Sequence, residues 1–122
     1  DLLICTGASA FLPPAEGMDL ANVCCVRAPQ DARRLKNALE TQRLRSILVV
    51  GASMVGIKVV ELADQYGIAC TLADGAPHLF ALAAFQDTAE RIERYLKSRG
   101  ISLAFPPCWI KSSNLQRRRP VC

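Results

Sequence analysis

Gly51-Ala52-Ser53-Met54-Val55-Gly56 stands where one structural period stops and another starts, and few folds accommodate such a break. Before it, Ile47, Leu48, Val49 and Val50 form an unbroken apolar run, the pattern of a parallel strand covered on both faces. After it, Val55, Val59, Leu62 and Ala63 recur at helical spacing as far as Gly67, a good helix terminator. Residues 68–73 then read as a second strand, closed by Asp74. Strand, glycine turn, helix and strand in this order call for a crossover connection and hence a parallel sheet.

The flanking sequence extends the alternation. Pro29 suits a first helical turn, Asp31 adds an early negative charge, and Ala32, Leu35, Ala38 and Leu39 share a face, which predicts a helix over 29–41. Thr88, Glu90 and the apolar Ala89, Ile92, Tyr95 and Leu96 predict another helix ending near Gly100, and residues 101–105 a third strand. Leu2, Leu3 and Ile4, stopping at Gly7, read as a buried strand entering a tight turn; residues 11–22, with Pro13, Pro14 and Gly17, read as a loop, and residues 23–26 as a short strand-like run. The fold class expected is α/β, a Rossmann-like parallel sheet with flanking helices, incomplete at both ends. At 122 residues, 51% hydrophobic and 21% charged, the chain holds one domain's worth of packed sequence and is too short for two full domains with a cofactor between them.

The glycine turn carries the chemistry. In a G-x-G-x-x-G turn the first glycine permits the tight bend, the second lets a pyrophosphate approach the backbone, and the third lets helix and strand pack closely. Here Ser53 replaces the second glycine, so the phosphates sit slightly farther out or gain a hydroxyl contact. Free amides at the helix start, with the helix dipole, still offer positive potential to a pyrophosphate. Asp74 lies 23 positions after Gly51, near the spacing of a carboxylate that accepts hydrogen bonds from the adenosine ribose. That carboxylate repels a 2′-phosphate, and Gly75, Ala76 and Pro77 bring no arginine to welcome one, so NAD(H) is expected rather than NADP(H).

Other residues suggest less. His78 is a loop histidine without a positioned partner and receives no catalytic role, and Trp109 in a proline-flanked segment is expected to cover a core edge. Cys5, Cys24, Cys25, Cys70, Cys108 and Cys122 form no CxxC pair and no metal-ligand spacing, so reduced structural thiols are expected. With a net charge of +4, the cluster Arg117, Arg118 and Arg119 is expected to be solvated rather than to bind nucleic acid. No run approaches the roughly 20 apolar residues of a membrane helix, and a cytoplasmic protein is expected.

With these residues placed, the chain resembles the FAD-dependent pyridine nucleotide-disulfide oxidoreductases. Asp1-Leu2-Leu3-Ile4-Cys5-Thr6-Gly7-Ala8 is similar to the segment that ends the first FAD-domain stretch of that family, with Cys5 where its A-T-G signature has alanine. The proline-rich bend, Gly17-Met18-Asp19-Leu20 and the helix beginning at Pro29 resemble its crossover into the NAD domain. The resemblance implies that Thr6 and Gly7 lie near FAD, that Gly51, Ala52, Ser53, Met54, Val55, Gly56 and Asp74 hold NADH, and that the complete parent passes hydride from NADH to FAD. It also implies three segments: residues 1–26 as the end of the FAD-domain stretch and crossover, 27–105 as the NAD-binding domain, and 106–122 as an irregular basic tail.

Departures from the family pattern bear on activity. Lys58 stands where many members carry a glutamate, and the FAD-binding glycine motif, a redox-active cysteine pair and the C-terminal interface domain are absent from these residues. The chain alone is therefore expected to bind nucleotide at best, without turnover, and a sheet covered on one side only would favour homo-oligomers. A small NAD-sensing module would share the turn and the acid but has no reason to carry the residue 2–8 segment. A nucleic-acid module built on the arginines predicts steeply salt-dependent binding and no NADH affinity.

Overall fold

The computed structural model describes residues 2–12, 14, 16–41, 44–81 and 83–106. Trp109, Cys108, Cys122 and the arginine cluster, for which expectations were set out above, lie outside the described residues. The chain divides into two compact units, one up to Asn37 and one from Ala38 onward.

The expected helix forms as α1 (Pro29–Glu40), which begins in the first unit and runs past its boundary at Asn37. Its start is secured by Asp31, whose carboxylate accepts hydrogen bonds from Arg27 N (3.0 Å) and Ala28 N (2.8 Å), satisfying amides that a helix leaves orphaned. Those bonds, Ala28's first, hold the Asp31 carboxyl below its ordinary pKa. The described residues of the 11–22 stretch form the expected loop, with turns closed by Leu20 N to Gly17 O and Val23 N to Leu20 O. The two strands expected here do not form. Leu2, Leu3 and Ile4 have no regular structure and are exposed, at 87%, 85% and 72%, and residues 23–26 are irregular. Apolar composition alone makes no strand: without a neighbouring ladder, the backbone gains nothing from a regular extended form.

The second unit is a three-stranded parallel sheet in the order β1-β2-β3, with β1 (Ser46–Val50), β2 (Ala69–Ala73) and β3 (Ser102–Ala104) joined by α2 (Met54–Gln65) and α3 (Gln86–Ser98). Among the described residues each strand pairs only with its sequence neighbours, in a register that sets Val50 beside Ala73 and Ala73 beside Ala104. All three strands therefore end along one rim. Tyr66, the C-cap of α2, is followed by Gly67 at φ +67, and Arg99, the C-cap of α3, by Gly100 at φ +83, left-handed positions that glycine takes at no steric cost.

Cys70 and Leu72 of β2, Val49 of β1 and Val60 and Ala63 of α2 form the centre of the core, with Ala89, Leu96 and Ile101 buried around α3. Two successive crossovers of the usual right-handed kind place α2 and α3 on the same face. They meet there across a groove lined by Ile57, Val60, Ile92 and Leu96, and Arg99 binds the Asp64 carboxylate through Nε and Nη2 at 2.9 and 2.8 Å. This geometry corrects the expectation for the first strand. Leu48 and Val50 are 54% and 63% exposed, because alternate residues of β1 point away from the helical face. α2 is likewise turned slightly from expectation: Gly56, Val59, Val60 and Ala63 are buried while Val55 and Leu62 are exposed.

Candidate functional site

The rim where the strands end is where open parallel sheets receive ligands. β1 stops at Gly51, whose amide donates to Ala73 O at 2.8 Å and whose φ of +110° is accessible to glycine and strained for other residues. The chain then turns through Ala52 and Ser53 into α2. Gly56, in the first turn of α2, lies against the Gly51 carbonyl so closely that a β-carbon there would overlap its oxygen, with Val49 Cγ1 also within 3.5 Å. Sequence assigned this glycine to close packing of helix on strand, and the contact is of that kind.

Ser53 is the N-cap of α2, with extended backbone (φ −90°, ψ 177°) and its Oγ accepting from Gly56 N at 3.5 Å, a long bond at the edge of useful geometry. The helical ladder begins with Ile57 N to Ser53 O, so the amides of Met54 and Val55 lie ahead of it and point outward from the helix start. The first turn carries no acidic residue, which leaves the positive end of the helix dipole uncompensated there. Ala52 is buried; Ser53, Met54 and Val55 are exposed.

Asp74 follows β2 directly and is half-buried. Its amide donates to Ala104 O at 3.2 Å, which fixes it to the end of β3. Its carboxylate lies across the glycine turn: Oδ2 accepts from Ala52 N at 2.5 Å and Oδ1 from Ala76 N at 2.8 Å. A carboxylate offers about four acceptor positions, so each oxygen retains capacity for a further donor. Of the residues picked out in the sequence, Gly51, Ala52, Ser53, Met54, Val55, Gly56 and Asp74 are thus brought together on one rim. Thr6 and Gly7 lie in the other compact unit, both exposed, with Gly7 left-handed at φ +76°. Lys58 is exposed on α2 and paired with Glu61 at 2.7 Å.

Other participants were not foreseen. The segment after Asp74 returns to the glycine turn, where Phe80 N donates to Ala52 O at 3.3 Å, and Phe80 itself is left-handed at φ +53°. Leu79 is wholly buried, and its amide donates to Glu93 Oε1 at 3.1 Å. Nothing in local sequence marks a phenylalanine for positive φ, and a contact 14 positions long has no motif. Ser53 as an N-cap could have been found, since serine before an apolar helical period is a standard start signal. His78 Nδ1 lies 3.0 Å from Leu79 O. Among the described residues no group of His, Cys, Asp and Glu is arranged to hold a metal ion.

The sequence pattern of the pyridine nucleotide-disulphide oxidoreductases matches residues 1–107. The chain belongs to this family. Among curated members of the family, the NADH oxidase of Methanocaldococcus jannaschii is 31% identical over 102 residues, which are 84% of this chain and 23% of that protein. The rubredoxin-NAD(+) reductase of Pseudomonas putida is 30% identical over 100 residues, 82% of this chain and 26% of that one. The chain therefore spans about a quarter of the length of the curated relatives it matches. Among solved structures, the water-forming NADH oxidase of Lactobacillus brevis bound to NADH superposes with a TM-score of 0.74 at 23% identity, covering 81% of this chain and 22% of that one. That likeness bears out the Rossmann-like α/β fold.

Proposed function

We propose that residues 51–56 and Asp74 hold the adenosine pyrophosphate half of NADH. The observation that carries this reading is the Asp74 carboxylate lying on Ala52 N across the turn that opens α2. Ribose hydroxyls would bind the remaining acceptor capacity of Asp74, and the outward amides of Met54 and Val55, aided by the helix dipole, would take the pyrophosphate. Ser53 Oγ stands on the approach to those amides and would either bond a phosphate oxygen or turn aside. A 2′-phosphate would meet the Asp74 charge, so NADPH is the poorer ligand.

In a complete parent, the bound nucleotide would supply hydride to FAD, with Thr6 and Gly7 beside the flavin. Residues 1–26, 27–105 and 106–122 would then be the end of the FAD-domain stretch, the NAD-binding domain and a basic tail. Hydride transfer needs both rings held together in a preorganised geometry, so this chain alone would bind nucleotide without turnover. The names of its relatives, an NADH oxidase and a rubredoxin-NAD(+) reductase, support a nicotinamide-linked redox role. A cytoplasmic setting fits this role, and no described helix is long and apolar enough to cross a membrane.

The test is a titration of the chain with NADH and with NADPH, read by the fluorescence of the reduced nicotinamide. Saturable NADH binding is expected, with NADPH weaker. Asp74→Ala removes the charged acceptor, at a cost of about 1.5–3 kcal/mol, or about ten- to a hundredfold in NADH affinity, and abolishes the preference over NADPH. A folded chain that binds neither nucleotide overturns the proposal.

A further inference from the structure

We infer that Glu93, on α3, is a positioning residue for the nucleotide site, acting through the segment after β2 to clamp the glycine turn. The inference rests on the reading that residues 51–56 and Asp74 hold NADH, and it adds a determinant of affinity that lies on a different helix. The chain of contacts is short. Glu93 Oε1 accepts from Leu79 N at 3.1 Å. Leu79 is wholly buried, so its amide has no access to water and depends on that carboxylate for a partner. The next residue, Phe80, has φ +53°, a conformation that non-glycine residues keep only where their surroundings over-determine it.

Phe80 is held in that conformation from both ends. Its carbonyl accepts from Ala83 N at 2.7 Å and Ala84 N at 2.9 Å, closing a tight turn ahead of α3. Its amide donates to Ala52 O at 3.3 Å. Ala52 is therefore gripped twice: its N–H by the Asp74 carboxylate, its C=O by Phe80. The peptide planes of Ala52 fix where the turn enters α2, and with it the direction of the amides proposed to meet the pyrophosphate. They also fix the Asp74 carboxylate proposed to meet the ribose. Withdraw the acceptor at Glu93, and Leu79 N must find another partner, Phe80 loses its anchor, and both nucleotide-facing groups lose a constraint.

The requirement is for an acceptor at the reach of a glutamate side chain, not for a charge, and this separates the inference from a general stabilising role. Glu93→Gln keeps an oxygen at that reach without the charge; Glu93→Asp keeps the charge and draws the oxygen back by one methylene. The full chain and these variants, with Asp74→Ala alongside, are titrated with NADH, and amide hydrogen exchange is followed at Leu79, Phe80 and Ala52. Glu93→Asp is expected to weaken NADH binding about tenfold and to speed exchange at Leu79 and Phe80, while Glu93→Gln stays close to the parent chain in both. Losses in Glu93→Gln as large as those in Glu93→Asp, or larger, would show that an uncharged acceptor at that reach does not serve, and would overturn the inference. NADH binding lost by Asp74→Ala but kept by Glu93→Asp, with exchange at Phe80 unchanged, overturns it and leaves the NADH reading standing. A parent chain that binds no NADH overturns both.

Discussion

Gly56 shows how one missing methyl group shapes the rim. A β-carbon at this position overlaps the Gly51 carbonyl oxygen, and because that oxygen belongs to the backbone of a paired turn, it cannot move aside as a side-chain tip would. Gly56→Ala is therefore expected to lower stability by about 1–3 kcal/mol, the cost of overpacking, and to weaken NADH binding by displacing the turn. Urea denaturation with NADH titration of the same variant checks both. This requirement was legible in the sequence, since the last glycine of the motif has a packing role by the geometry of the motif itself. The role of Phe80 was not, because its left-handed backbone is imposed by Glu93, Ala52 and the turn that follows, all of them distant or conformational.

At the scale of elements, the change of period predicted β1, α2, β2, α3 and β3 within a residue or two, because each carries its own repeat and most end at glycine or proline. What failed was the pairing and coverage that individual strands receive from their neighbours. Leu2, Leu3 and Ile4 have strand composition and no ladder, and the apolar run of β1 says nothing of which faces will be covered. Coverage follows from strand order, and strand order is a property of the assembled sheet. α2 offers a sharper case. Ser53 caps it, but at 3.5 Å the bond is weak, and the hydroxyl lies beside the amides proposed for phosphate. Ser53→Gly is expected to reduce stability by only a few tenths of a kcal/mol, since glycine is a tolerable N-cap, and to tighten NADH binding severalfold by restoring the open approach. Thermal unfolding and the same nucleotide titration read the two effects separately.

For the molecule as a whole, pH reports on the core through Cys70. This thiol, 4% exposed on β2, is pushed up from 9.0 to about 11 by burial, which disfavours the thiolate. The folded-state value is raised, so the associated stability is fully present below pH 9 and is lost as pH rises toward about 11. The loss is on the order of 2–3 kcal/mol. Denaturation midpoints measured from pH 8 to 11 are expected to fall in the parent chain and to stay flatter in Cys70→Ala, whose absolute stability at pH 8 is lower. The exposed Cys5 and Cys24 should react with a thiol reagent at neutral pH well before Cys70 does.

The sheet order carries a consequence for how the chain comes to be folded. Ser46 pairs with Ala69 and Thr71 with Ser102, so the partners of each ladder lie 23 and 31 positions apart, and no strand of this sheet is inserted between two earlier ones. The chain-entropy cost of bringing such ends together grows only slowly with length, and each closure is completed by residues that follow directly in synthesis. The β1-α2-β2 half, glycine turn included, can close while β3 is still to be made. The Asp74 carboxylate would then reach Ala52 before the strand that fixes the Asp74 amide exists, so the nucleotide rim would be sketched early and made rigid last.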